Sequence, residues 1–579
     1  MILVFGGTTE GRKAVEVLEE AGTNYFYSTK TGEQDITVHH GQRIDGALDA
    51  EAMLAFCREQ NIRLIVDAAH PFASQLHQTI AQVSAELDIP AIRYERIYPE
   101  RDPEMTWIDD YSQIPRDIHS LLATTGVQSI AKLKPLEREG IRVFYRILNR
   151  ASSIALALKQ GVGEEHLCYY DNPKDIPVEA DAILLKESGL SGGFLEKVEA
   201  AQERGMRIIA LKRPETPGIF TIINGPYGLR RAVEKLLPEF YPLHSGLTTG
   251  TCATAAAVAE ALRLLKGETP DEVPVILPDG ETIHVPVNYG DGYASVFKEA
   301  GDDPDVTNGL EIRASVKPSE TFEILGGEGV GRFTLPGFDY PAGEAAINKA
   351  PREMIRQNLE PFGRPLQVTI SVPEGAEIAK RTFNPRLGIE GGISIIGVSG
   401  IVKPFSEEAF IKSIRKCMTV AQASGSERVV INSGGKSERF VKALYPDLPQ
   451  QAFVEYGNYI GETLKIAHEL DVKNVTLGVM LGKAVKLAAG HLDTHSKKGT
   501  MDKDFISEML QEADCDLDIS AITLARELWE KLPQDKLQLF ANTIIRHCET
   551  YCRPLLPNGQ LTILLIDDNG HIYQEITSA

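Results

Sequence analysis

A threonine-rich turn near the middle of the chain combines residue types that can bind an anion or activate a nucleophile. Thr248, Thr249, Gly250, Thr251 and Cys252 precede a run of small apolar residues that predicts a helix. Hydroxyl side chains at this position can cap the free N–H groups of the helix, and those groups can also hold a carboxylate or a phosphate. A helix N-terminus lowers the pKa of a thiol. Thr249 and Cys252 are therefore candidate catalytic residues and the other three candidate substrate contacts, with an ordinary helix cap as the alternative.

A second candidate site follows the apolar run at residues 1–5, which predicts a buried parallel strand. A glycine turn and a helical pattern come next, and this arrangement lets backbone N–H groups cradle a pyrophosphate. The spacing differs from GxGxxG, so a tight turn that serves close helix–strand packing is the alternative. The candidate cofactor contacts are Gly6, Gly7, Thr8, Thr9 and Gly11.

A histidine follows a later strand of the same half. The strand at residues 64–66 ends in Asp67, and His70 and Pro71 come before the next predicted helix. Ligands of open parallel sheets bind beyond the carboxyl ends of the strands. His70 could therefore act there as an acid, a base or a phosphate contact. A structural hydrogen bond by a histidine at a strand end is the alternative.

A third glycine turn lies in the second half of the chain. The strand at residues 429–432 leads into Gly434 and Gly435, and the next strand ends at Glu455, before Gly457 and Asn458. A glycine turn after one strand and a carboxylate at the end of the next resembles nucleoside recognition, in which the carboxylate accepts bonds from ribose hydroxyls. S-adenosylmethionine would fit, because it needs no pyrophosphate site. A plain turn explains the same pattern.

Polar glycine-rich stretches before and after this turn supply further candidate contacts to a substrate. Dense glycine lets backbone approach a flat ligand closely, and arginine offers a cationic contact to acidic groups. Two histidines follow the predicted small helix at residues 483–489, but they lie in a glycine-flanked loop without the helical spacing of a zinc pair. No metal site is expected. The candidate substrate contacts are Gly327, Gly329, Gly331, Asn348, Arg352, Asn384, Arg386, His491 and His495.

The composition restricts the class of protein. The 579 residues carry a formal net charge of −21, which argues against a nucleic-acid partner and against docking on an anionic membrane. Seven cysteines without CxxC spacing indicate a reducing compartment and no disulfide framework. The first residues form a strand pattern without a basic leader, and no apolar run reaches transmembrane length. We therefore expect a cytoplasmic protein.

The order of the predicted elements indicates several domains. Residues 1–105 and 106–242 each alternate strands and helices, and a cleft between two such lobes is a common ligand site. In the second lobe we expect a helix that ends at Leu121–Gly126 and strands at Val127–Ala131 and Val143–Ile147. Short strands broken by Gly and Pro follow at 243–390, and strands alternate with helices again at 391–579. The predicted fold class is therefore α/β and α+β, with a two-lobed Rossmann-like part, an α+β part and a smaller doubly wound α/β part.

Motifs in the first half resemble those of the precorrin-6A reductase family. They are GGTTEGR, DAAHPFA and the segment from KESGLSGG to RP, and they cover about residues 1–240 in the family's order. The resemblance implies hydride transfer from NADH or NADPH to a corrin precursor in the cleft of a two-lobed Rossmann-like fold. Two departures stand out. Gly11 replaces the usual alanine, and Gln160–Gly163 replaces a Gln-Gly-Pro-Phe element.

The second half resembles the CbiD family, which is cobalt-precorrin-5B carbon-one methyltransferase. The motifs HSGLTTGTCATAAA, AGDDPDVTNG, GGEGVG, TFNPRLGIEGGISIIGVSGIV, YGNYIG and LGKAVKLAAGHLDTHS cover essentially residues 243–579. The family's usual Asn-Pro is Asn348-Lys349 here. The resemblance implies methylation of cobalt-precorrin-5B by S-adenosylmethionine to give cobalt-precorrin-6A.

Together the two resemblances predict a bifunctional enzyme of corrin-ring biosynthesis, because the product of the methylation is the substrate of the reduction. The expected partners are the corrin-ring intermediates. A homo-oligomer and transient contact with neighbouring pathway enzymes stay open. Two alternatives also stay open. The first half can be a non-catalytic nicotinamide- or tetrapyrrole-binding module, or a generic nicotinamide dehydrogenase can be fused to an unrelated methyltransferase.

Overall fold

The computed structural model describes residues 1–30, 32, 34–170, 172–495 and 502–574. The chain forms two compact units. Residues 1–245 make up the first unit together with 274–284, and the second unit contains 246–273 and 285–579. Nothing in the sequence pattern signals that a segment after residue 245 belongs to the first unit.

The first lobe of the first unit is a six-stranded parallel sheet between helices. Alternate residues of its strands enter different apolar clusters, with Ile2 and Val4 on one face and Leu3 and Phe5 on the other. Burial of both faces explains the continuous apolar run at the N-terminus. In spatial order the strands are Thr221–Ile223, Ala91–Tyr94, Leu64–Asp67, Ile2–Phe5, Tyr25–Thr29 and Gly41–Asp45. The helices are Thr9–Glu19, Ala50–Glu59, Ser74–Leu87 and Pro226–Leu236.

The second lobe contains another six-stranded parallel sheet. Its strands in spatial order are Thr106–Ile108, Arg207–Leu211, Ala182–Lys186, Ser120–Ala123, Arg142–Ile147 and Leu167–Tyr169, and its helices are Ile130–Arg138, Ala151–Lys159 and Phe194–Glu203. The mixed α/β content and the parallel sheets agree with the prediction for this half. The predicted helix end at Leu121–Gly126 and the predicted strand at Val127–Ala131 are wrong. Ser120–Ala123 is an interior strand, and a short apolar run buried on both faces lacks the periodicity that separates strand from helix.

A buried carboxylate explains why residues 274–284 belong to the first unit. Glu281 is 2% exposed and accepts hydrogen bonds from the backbone N–H groups of Tyr227 (3.1 Å) and Gly228, at the start of the helix Pro226–Leu236. The backbone N–H of Thr282 donates to Asn224 Oδ1 at 2.9 Å. Burial raises the pKa of the Glu281 carboxyl to about 7. Glu281 therefore satisfies N–H groups that a helix start otherwise leaves without acceptors.

Replacement of Glu281 by alanine is expected to lower the free energy of unfolding of the first unit by about 1–3 kcal/mol, because two buried N–H groups lose their acceptor. The raised pKa of Glu281 also makes the stability of the first unit depend on pH. Since folding favours the protonated carboxyl, stability is full below its ordinary pKa of 4.5 and decreases as the pH rises to about 7. Glu281→Gln keeps an acceptor and should remove this decrease.

Urea unfolding at pH 5 and pH 8 tests both statements. Of the two tryptophans, Trp107 lies in the first unit and Trp529 in the second, so a Trp529→Phe background reports the first unit alone. An unchanged pH dependence in Glu281→Gln would contradict the assignment of that dependence to Glu281.

The N-terminal part of the second unit is an α+β arrangement. The helix Thr249–Lys266 packs on a five-stranded sheet and on the helix Lys349–Leu359, and its first thirteen residues are all buried. Small alanine side chains allow this close approach. In spatial order the strands are Asn288–Gly290, Tyr293–Phe297, Glu311–Pro318, Leu366–Ser371 and Glu323–Gly326. Strand pairs outside this sheet are Gly246–Leu247 with Ile401–Val402 and Arg332–Phe333 with Ile389–Glu390, and a further short helix is Gly375–Ala379. The strand pair Glu272–Ile276 with Thr282–Pro286 lies mostly within residues 274–284 of the first unit.

The C-terminal part of the second unit has a mostly parallel sheet with apolar clusters on both faces. Its strands in spatial order are Phe453–Glu455, Val429–Asn432, Asn474–Met480, Gln560–Ile566 and the antiparallel Ile572–Gln574. The helices are Glu407–Ala423, Gly435–Leu444, Ile460–Glu469, Leu481–Ala488, Lys503–Glu512, Leu528–Lys531 and Leu537–Cys552. The carboxyl ends of the neighbouring strands Val429–Asn432 and Phe453–Glu455 lie side by side, because Asn432 pairs with Glu455.

Candidate active sites

A buried ion-pair network fixes the loop that follows the strand Leu64–Asp67. The carboxylate of Asp67 accepts from Arg93 Nη1 at 2.9 Å and from His77 Nδ1 at 2.6 Å, and all three side chains are almost fully buried. Arg93 Nη1 also donates to the carbonyl of Ala69 at 3.0 Å. Burial alone would raise the pKa of Asp67, but the hydrogen bond from His77 and the charge of Arg93 hold it below its ordinary value. Charge-assisted hydrogen bonds of the network therefore hold the loop of residues 68–73 in place.

His70 lies in this loop and is neutral at physiological pH. Its Nδ1 accepts from the backbone N–H of Phe72 at 3.2 Å, which leaves the proton of the neutral ring on Nε2. Burial, followed by the charges of Arg96 and Lys186, lowers the pKa of His70 to about 3. A group with so low a pKa is a poor acid at pH 7. Of the roles predicted for His70, a hydrogen-bond contact through Nε2 therefore agrees better with its surroundings than proton donation.

The first glycine turn is joined to the His70 loop. Thr8 Oγ1 donates to the carbonyl of Ala68 at 2.6 Å and accepts from the backbone N–H of Gly11 at 3.0 Å, so that Thr8 caps the helix Thr9–Glu19. A Cβ at Gly11 would lie 2.8 Å from the Cα of Gly6, which shows close helix–strand packing at this point. The structure thus brings the predicted cofactor contacts Gly6, Gly7, Thr8, Thr9 and Gly11 to the same edge of the sheet as His70. The first N–H groups of the helix can donate hydrogen bonds to a phosphate.

Two lysines to which the sequence analysis gave no role also act on His70. Lys186, at the end of the strand Ala182–Lys186, and Lys197, on the helix Phe194–Glu203, both lower the pKa of His70 through their charge. Nearby Arg96 is paired with Glu10 at 2.8 Å and donates to the carbonyl of Ser188 at 2.7 Å. The motif KESGLSGG contains Lys186, but its spacing alone did not indicate what the lysine would face.

In the second unit, the glycine turn after the strand Val429–Asn432 lies against Glu455. The carboxylate of Glu455 occupies the space that a Cβ at Gly434 would need, and Gly434 has φ 83°, a conformation that favours glycine. Burial raises the pKa of Glu455, which is half-buried, and no described residue donates a hydrogen bond to its carboxylate. An acceptor without a donor beside a glycine turn suits a ligand that carries hydroxyl groups.

Residues far apart in the sequence line a narrow pocket beside Glu455. Arg386 and Phe383 come from one glycine-rich segment, and Phe410 and Cys417 come from the helix Glu407–Ala423. Arg386 Nη1 pairs with Glu438 at 2.9 Å. The pocket has a volume of about 20 Å³, enough for about one water molecule. The predicted substrate contact Arg386 and the predicted cofactor contact Glu455 therefore share a pocket, which must widen to admit a nucleoside.

The other predicted contacts near this turn lie in two neighbouring loops. Lys483 donates to the carbonyl of Gly457, and burial lowers the pKa of Lys483 to about 8. The carbonyl of Asn458 accepts from the backbone N–H of Thr494 at 3.0 Å, which brings the His495 loop beside the glycine turn. His495 is half-buried and His491 is exposed.

The threonine turn at residues 248–251 is covered by a segment of its own unit. Thr248 caps the helix Thr249–Lys266 and accepts from the backbone N–H of Thr251 at 3.2 Å. Thr249 Oγ1 accepts from the backbone N–H of Ile396 at 2.8 Å, and Thr251 Oγ1 donates to the carbonyl of Gly400 at 2.6 Å. Gly250 packs against Pro351. The capping predicted from the sequence is present, and the hydroxyl groups serve internal hydrogen bonds.

Cys252 has no exposed surface. A nucleophile must reach its substrate, so the buried thiol does not support catalysis by Cys252 in this conformation. The short hydroxyl and thiol side chains after the turn instead allow the buried helix to pack closely against its neighbours.

Internal packing explains the glycines at residues 327–331. A Cβ at Gly329, which has φ 69°, would overlap the carbonyl oxygen of Val372. A Cβ at Gly331 would lie 2.8 Å from the carbonyl oxygen of Gly392, and Gly327 packs against Ser371. The glycines thus allow backbone to approach backbone, and their predicted contact with a substrate has no support from this geometry.

The remaining predicted substrate contacts are partly occupied by backbone groups. Arg352 Nε donates to the carbonyl of Ile347 at 2.9 Å, and its guanidinium lies 4.3 Å from the ring centre of Tyr340. The backbone N–H of Asn348 donates to Ile395 at 3.0 Å. Asn384 is buried, and its Nδ2 donates to Gly392 at 3.1 Å. Arg352 borders an open groove beside the helix Lys349–Leu359, whereas Asn384 holds its own loop in place.

Two absences concern only the described ranges. No group of three or more His, Cys, Asp or Glu side chains within residues 1–30, 32, 34–170, 172–495 and 502–574 could hold a metal ion. In the same ranges, no helix combines the length and the apolar character needed to cross a membrane.

Three family models match the chain. The model described as Precorrin-6x reductase CbiJ/CobK matches residues 1–226. The model described as CbiD matches residues 238–404, and the model of the CbiD C-terminal domain matches residues 493–575. The two resemblances expected from the sequence are therefore confirmed.

The chain is also similar to individual proteins and to solved structures. A cobalt-precorrin-5B C(1)-methyltransferase of Prosthecochloris aestuarii is 42% identical over 345 residues, which are 56% of this chain and 94% of that protein. A solved cobalamin biosynthesis protein (cbiD) from Archaeoglobus fulgidus is 33% identical and covers 44% of this chain and 83% of its own, with a TM-score of 0.26. A CobK precorrin-6A reductase structure is 17% identical, covers 41% of this chain and 96% of its own, and has a TM-score of 0.33.

Proposed function

Since the chain belongs to the cobalt-precorrin-5B C(1)-methyltransferase family and also carries a precorrin-6x reductase domain, we propose that it performs two successive steps of cobalamin biosynthesis. The second unit methylates cobalt-precorrin-5B at ring carbon one, and the first unit reduces the resulting cobalt-precorrin-6A. The observation that supports this most strongly is the presence of both domains in one chain. Linkage raises the effective concentration of the intermediate near the next site.

For the methyl transfer, the second unit must position the donor and the ring carbon in line. S-adenosylmethionine supplies an electrophilic methyl group when bound. The free carboxylate of Glu455 accepts hydrogen bonds from the ribose hydroxyls, while Gly434 keeps the turn close to Glu455. Arg386, which also lines the pocket, offers a positive charge to an acidic substituent of the macrocycle once it exchanges Glu438 for that group.

For the reduction, the first unit must hold a dinucleotide and the macrocycle at one sheet edge. NADH or NADPH supplies a hydride when bound. The start of the helix Thr9–Glu19 receives the pyrophosphate, and Nε2 of the neutral His70 donates a hydrogen bond to the ligand. The ion pairs of Asp67 keep the His70 loop in place. His70 is therefore proposed as a binding residue of the reductase.

An anaerobic incubation of the full-length protein with cobalt-precorrin-5B and S-adenosylmethionine, with and without NADPH or NADH, tests both activities by mass spectrometry. We expect a gain of one methyl group, followed by a gain of two hydrogens only when a reduced nicotinamide is present. Methyl gain without reduction would make the first unit a binding module. Absence of methyl gain would overturn the methyltransferase assignment.

Replacement of His70 by alanine is expected to raise the KM of the reductase for the ligand that His70 contacts about 5- to 50-fold. The reason is the loss of one hydrogen bond from a desolvated side chain to that ligand. The pH profile of kcat between pH 6 and pH 8 should not change, because His70 does not titrate in this range. Steady-state reduction with the methylated product as substrate measures both. Intact turnover and intact cofactor affinity would instead make His70 structural.

A further inference from the structure

A groove in the α+β part of the second unit runs between a helix and the edge of a sheet. The helix is Lys349–Leu359, and the strand Glu323–Gly326 lies at the edge of the five-stranded sheet, beside Leu366–Ser371. The groove has a volume of about 400 Å³, which is within the range of sites that bind small molecules. We call it the edge groove, and its main lining residues are Phe322, Ile324, Leu325, Tyr340, Arg352 and Arg356.

The helix presents three cations to the edge groove. Lys349, Arg352 and Arg356 follow one another at spacings of three and four residues, which places them on one face of the helix, and all three line the groove. Two carboxylates compensate them in part. Lys349 Nζ lies 3.8 Å from Glu353, and Arg352 Nη2 lies 3.5 Å from Glu344. Both carboxylates are exposed, and such surface ion pairs are weak, so a ligand can replace them easily.

Arg356 has the most available positive charge of the three. Its guanidinium lies 5.3 Å from the ring centre of Phe322, and within the part of the chain that the structure describes no side chain accepts a hydrogen bond from it. Arg352 lies in the same way 4.3 Å from the ring centre of Tyr340. A guanidinium that rests on an aromatic ring is held in place, while its remaining N–H groups can bind a carboxylate. In a chain with a net charge of −21, this arrangement is a local site for an anionic ligand.

The other lining of the edge groove is apolar. Leu325, on the edge strand, is 43% exposed, and the rings of Phe322 and Tyr340 are half-buried. Apolar side chains beside cations suit a ligand with an apolar body and an acidic rim. The macrocycle of the proposed methyl acceptor has this composition, because carboxylate side chains surround its ring. A peptide that paired with the edge strand would bind through backbone hydrogen bonds and would leave the two guanidinium groups unexplained.

One loop connects the edge groove to the pocket beside Glu455. Tyr340 belongs to the same loop as Gly337 and Phe338. Lys416, on the helix Glu407–Ala423, donates from Nζ to the carbonyl of Gly337 at 2.9 Å and lies 4.2 Å from the ring centre of Phe338. The same helix lines the pocket beside Glu455. The proposed donor pocket and the edge groove therefore contact one continuous piece of structure.

We propose that the edge groove binds the macrocycle of the methyl acceptor, with carboxylates of the macrocycle on Arg352 and Arg356 and part of its ring on Leu325. This inference rests on the methyltransferase function proposed above and names the site of its second substrate. Charge complementarity is the main argument, since the acceptor is a polycarboxylate and the groove offers two guanidinium groups already held on aromatic rings. A macrocycle is wider than the groove, so part of it extends beyond the edge strand.

Lysine methylation of the full-length protein, read by mass spectrometry, tests the site with uroporphyrin I, a stable macrocyclic octacarboxylate. At about ten times its dissociation constant, uroporphyrin should slow the methylation of Lys349 about tenfold. Lys380 is the matched control, because it is also an exposed lysine of the second unit that pairs with a glutamate within its own helical turn. Its methylation should not change. Because each lysine is measured separately, a macrocycle bound to the first unit does not affect the result.

Replacement of Arg356 by methionine should raise the uroporphyrin concentration that half-protects Lys349 about tenfold, because one charge-assisted contact is lost. Arg439→Met is the matched control and should have no effect. Arg439 is another exposed arginine of the second unit, 5.1 Å from the ring centre of Phe440. The inference is overturned if Lys349 of the wild-type protein is not protected, or if Arg356→Met leaves the half-protection concentration unchanged.

A thiol introduced by Leu325→Cys tests the strand side of the edge groove. Uroporphyrin should slow its alkylation by iodoacetamide, and should not slow that of a thiol introduced by Leu444→Cys, at an exposed position of the same unit. Protection of Lys349 without protection at position 325 would place the ligand on the outer face of the helix and would overturn the groove assignment.

The methyl-transfer assay separates this inference from the proposed function. In an active enzyme, Arg356→Met should raise the KM for cobalt-precorrin-5B about tenfold and leave the KM for S-adenosylmethionine nearly unchanged. Methyl gain without protection of the edge groove would keep the methyltransferase function and overturn the macrocycle site. Protection that depends on Arg356, in a protein that transfers no methyl group, would support the macrocycle site and overturn the proposed methyltransferase function.

Discussion

Replacement of Glu455 by alanine is expected to raise the KM for S-adenosylmethionine about 10- to 100-fold, because hydrogen bonds to a charged acceptor contribute about 1.5–3 kcal/mol. The kcat of methyl transfer should change less than threefold, since the carboxylate contacts the donor away from the reacting methyl group. Its raised pKa adds a second expectation. Binding that needs the ionised carboxylate should weaken on acidification at a higher pH than an ordinary glutamate would give.

Initial rates of methyl transfer at varied donor concentration, at pH 6 and pH 8, measure both effects. Glu427→Ala is the matched control, because Glu427 is an exposed glutamate of the same α/β part. Glu455→Gln keeps the shape of the side chain and should show an intermediate loss that does not depend on pH. An unchanged donor KM in Glu455→Ala would remove Glu455 from the donor site.

Replacement of Asp67 by alanine is expected to destabilise the first unit by about 3–5 kcal/mol, because it leaves the buried guanidinium of Arg93 without its partner. Reduction should be lost with the position of the His70 loop. Methyl transfer by the second unit serves as an internal control in the same sample. Asp117→Ala, which removes an exposed ion pair with Arg207 in the same unit, should cost less than about 1 kcal/mol.

The pH dependence of stability gives an independent test of Asp67. Its pKa is lower in the folded than in the unfolded chain, so its contribution is present above the ordinary value of 3.8 and is lost as the pH falls through the folded value. Asp67→Asn should lose part of this acid sensitivity. Urea unfolding between pH 3 and pH 6, followed through Trp107 in the Trp529→Phe background, measures it. Identical pH profiles of Asp67→Asn and the parent protein would show that Asp67 is not ionised in the fold.

Local chemistry made several elements predictable from the sequence. The apolar run before Gly6 forms a parallel strand because both of its faces are buried, and Thr8 and Thr248 cap helices because their hydroxyl groups stand where N–H groups lack partners. The strand ends at Asp67 and Glu455 likewise lie at carboxyl edges of parallel sheets. In each case the sequence signal is local: an apolar run, a hydroxyl residue before a helix, or a carboxylate at the end of a strand.

Features that depend on long-range interactions could not be predicted from the sequence. The ion pair of Asp67 with Arg93 spans 26 residues, and the pocket that joins Arg386 to Glu455 depends on how a glycine-rich loop packs on a distant sheet. The strand Ser120–Ala123 shows the same limit. Because both of its faces are buried, it lacks the alternation of apolar and polar residues that identifies a strand. Gly329 is a further case. Only glycine fits at this position because a Cβ would overlap the carbonyl oxygen of Val372. A glycine that contacts a ligand would give the same sequence pattern, so the sequence cannot distinguish the two roles.

The position of Glu281 has a consequence for attempts to separate the two activities. A truncation after residue 242 follows the boundary that the sequence resemblances suggest, yet it removes the carboxylate that caps the helix Pro226–Leu236. A first half expressed in this way would expose the start of that helix to solvent, and its failure to bind or reduce a ligand would say little about the intact enzyme. A gene dissection that grafts residues 274–284 onto the shorter chain through a flexible linker would keep the reductase whole.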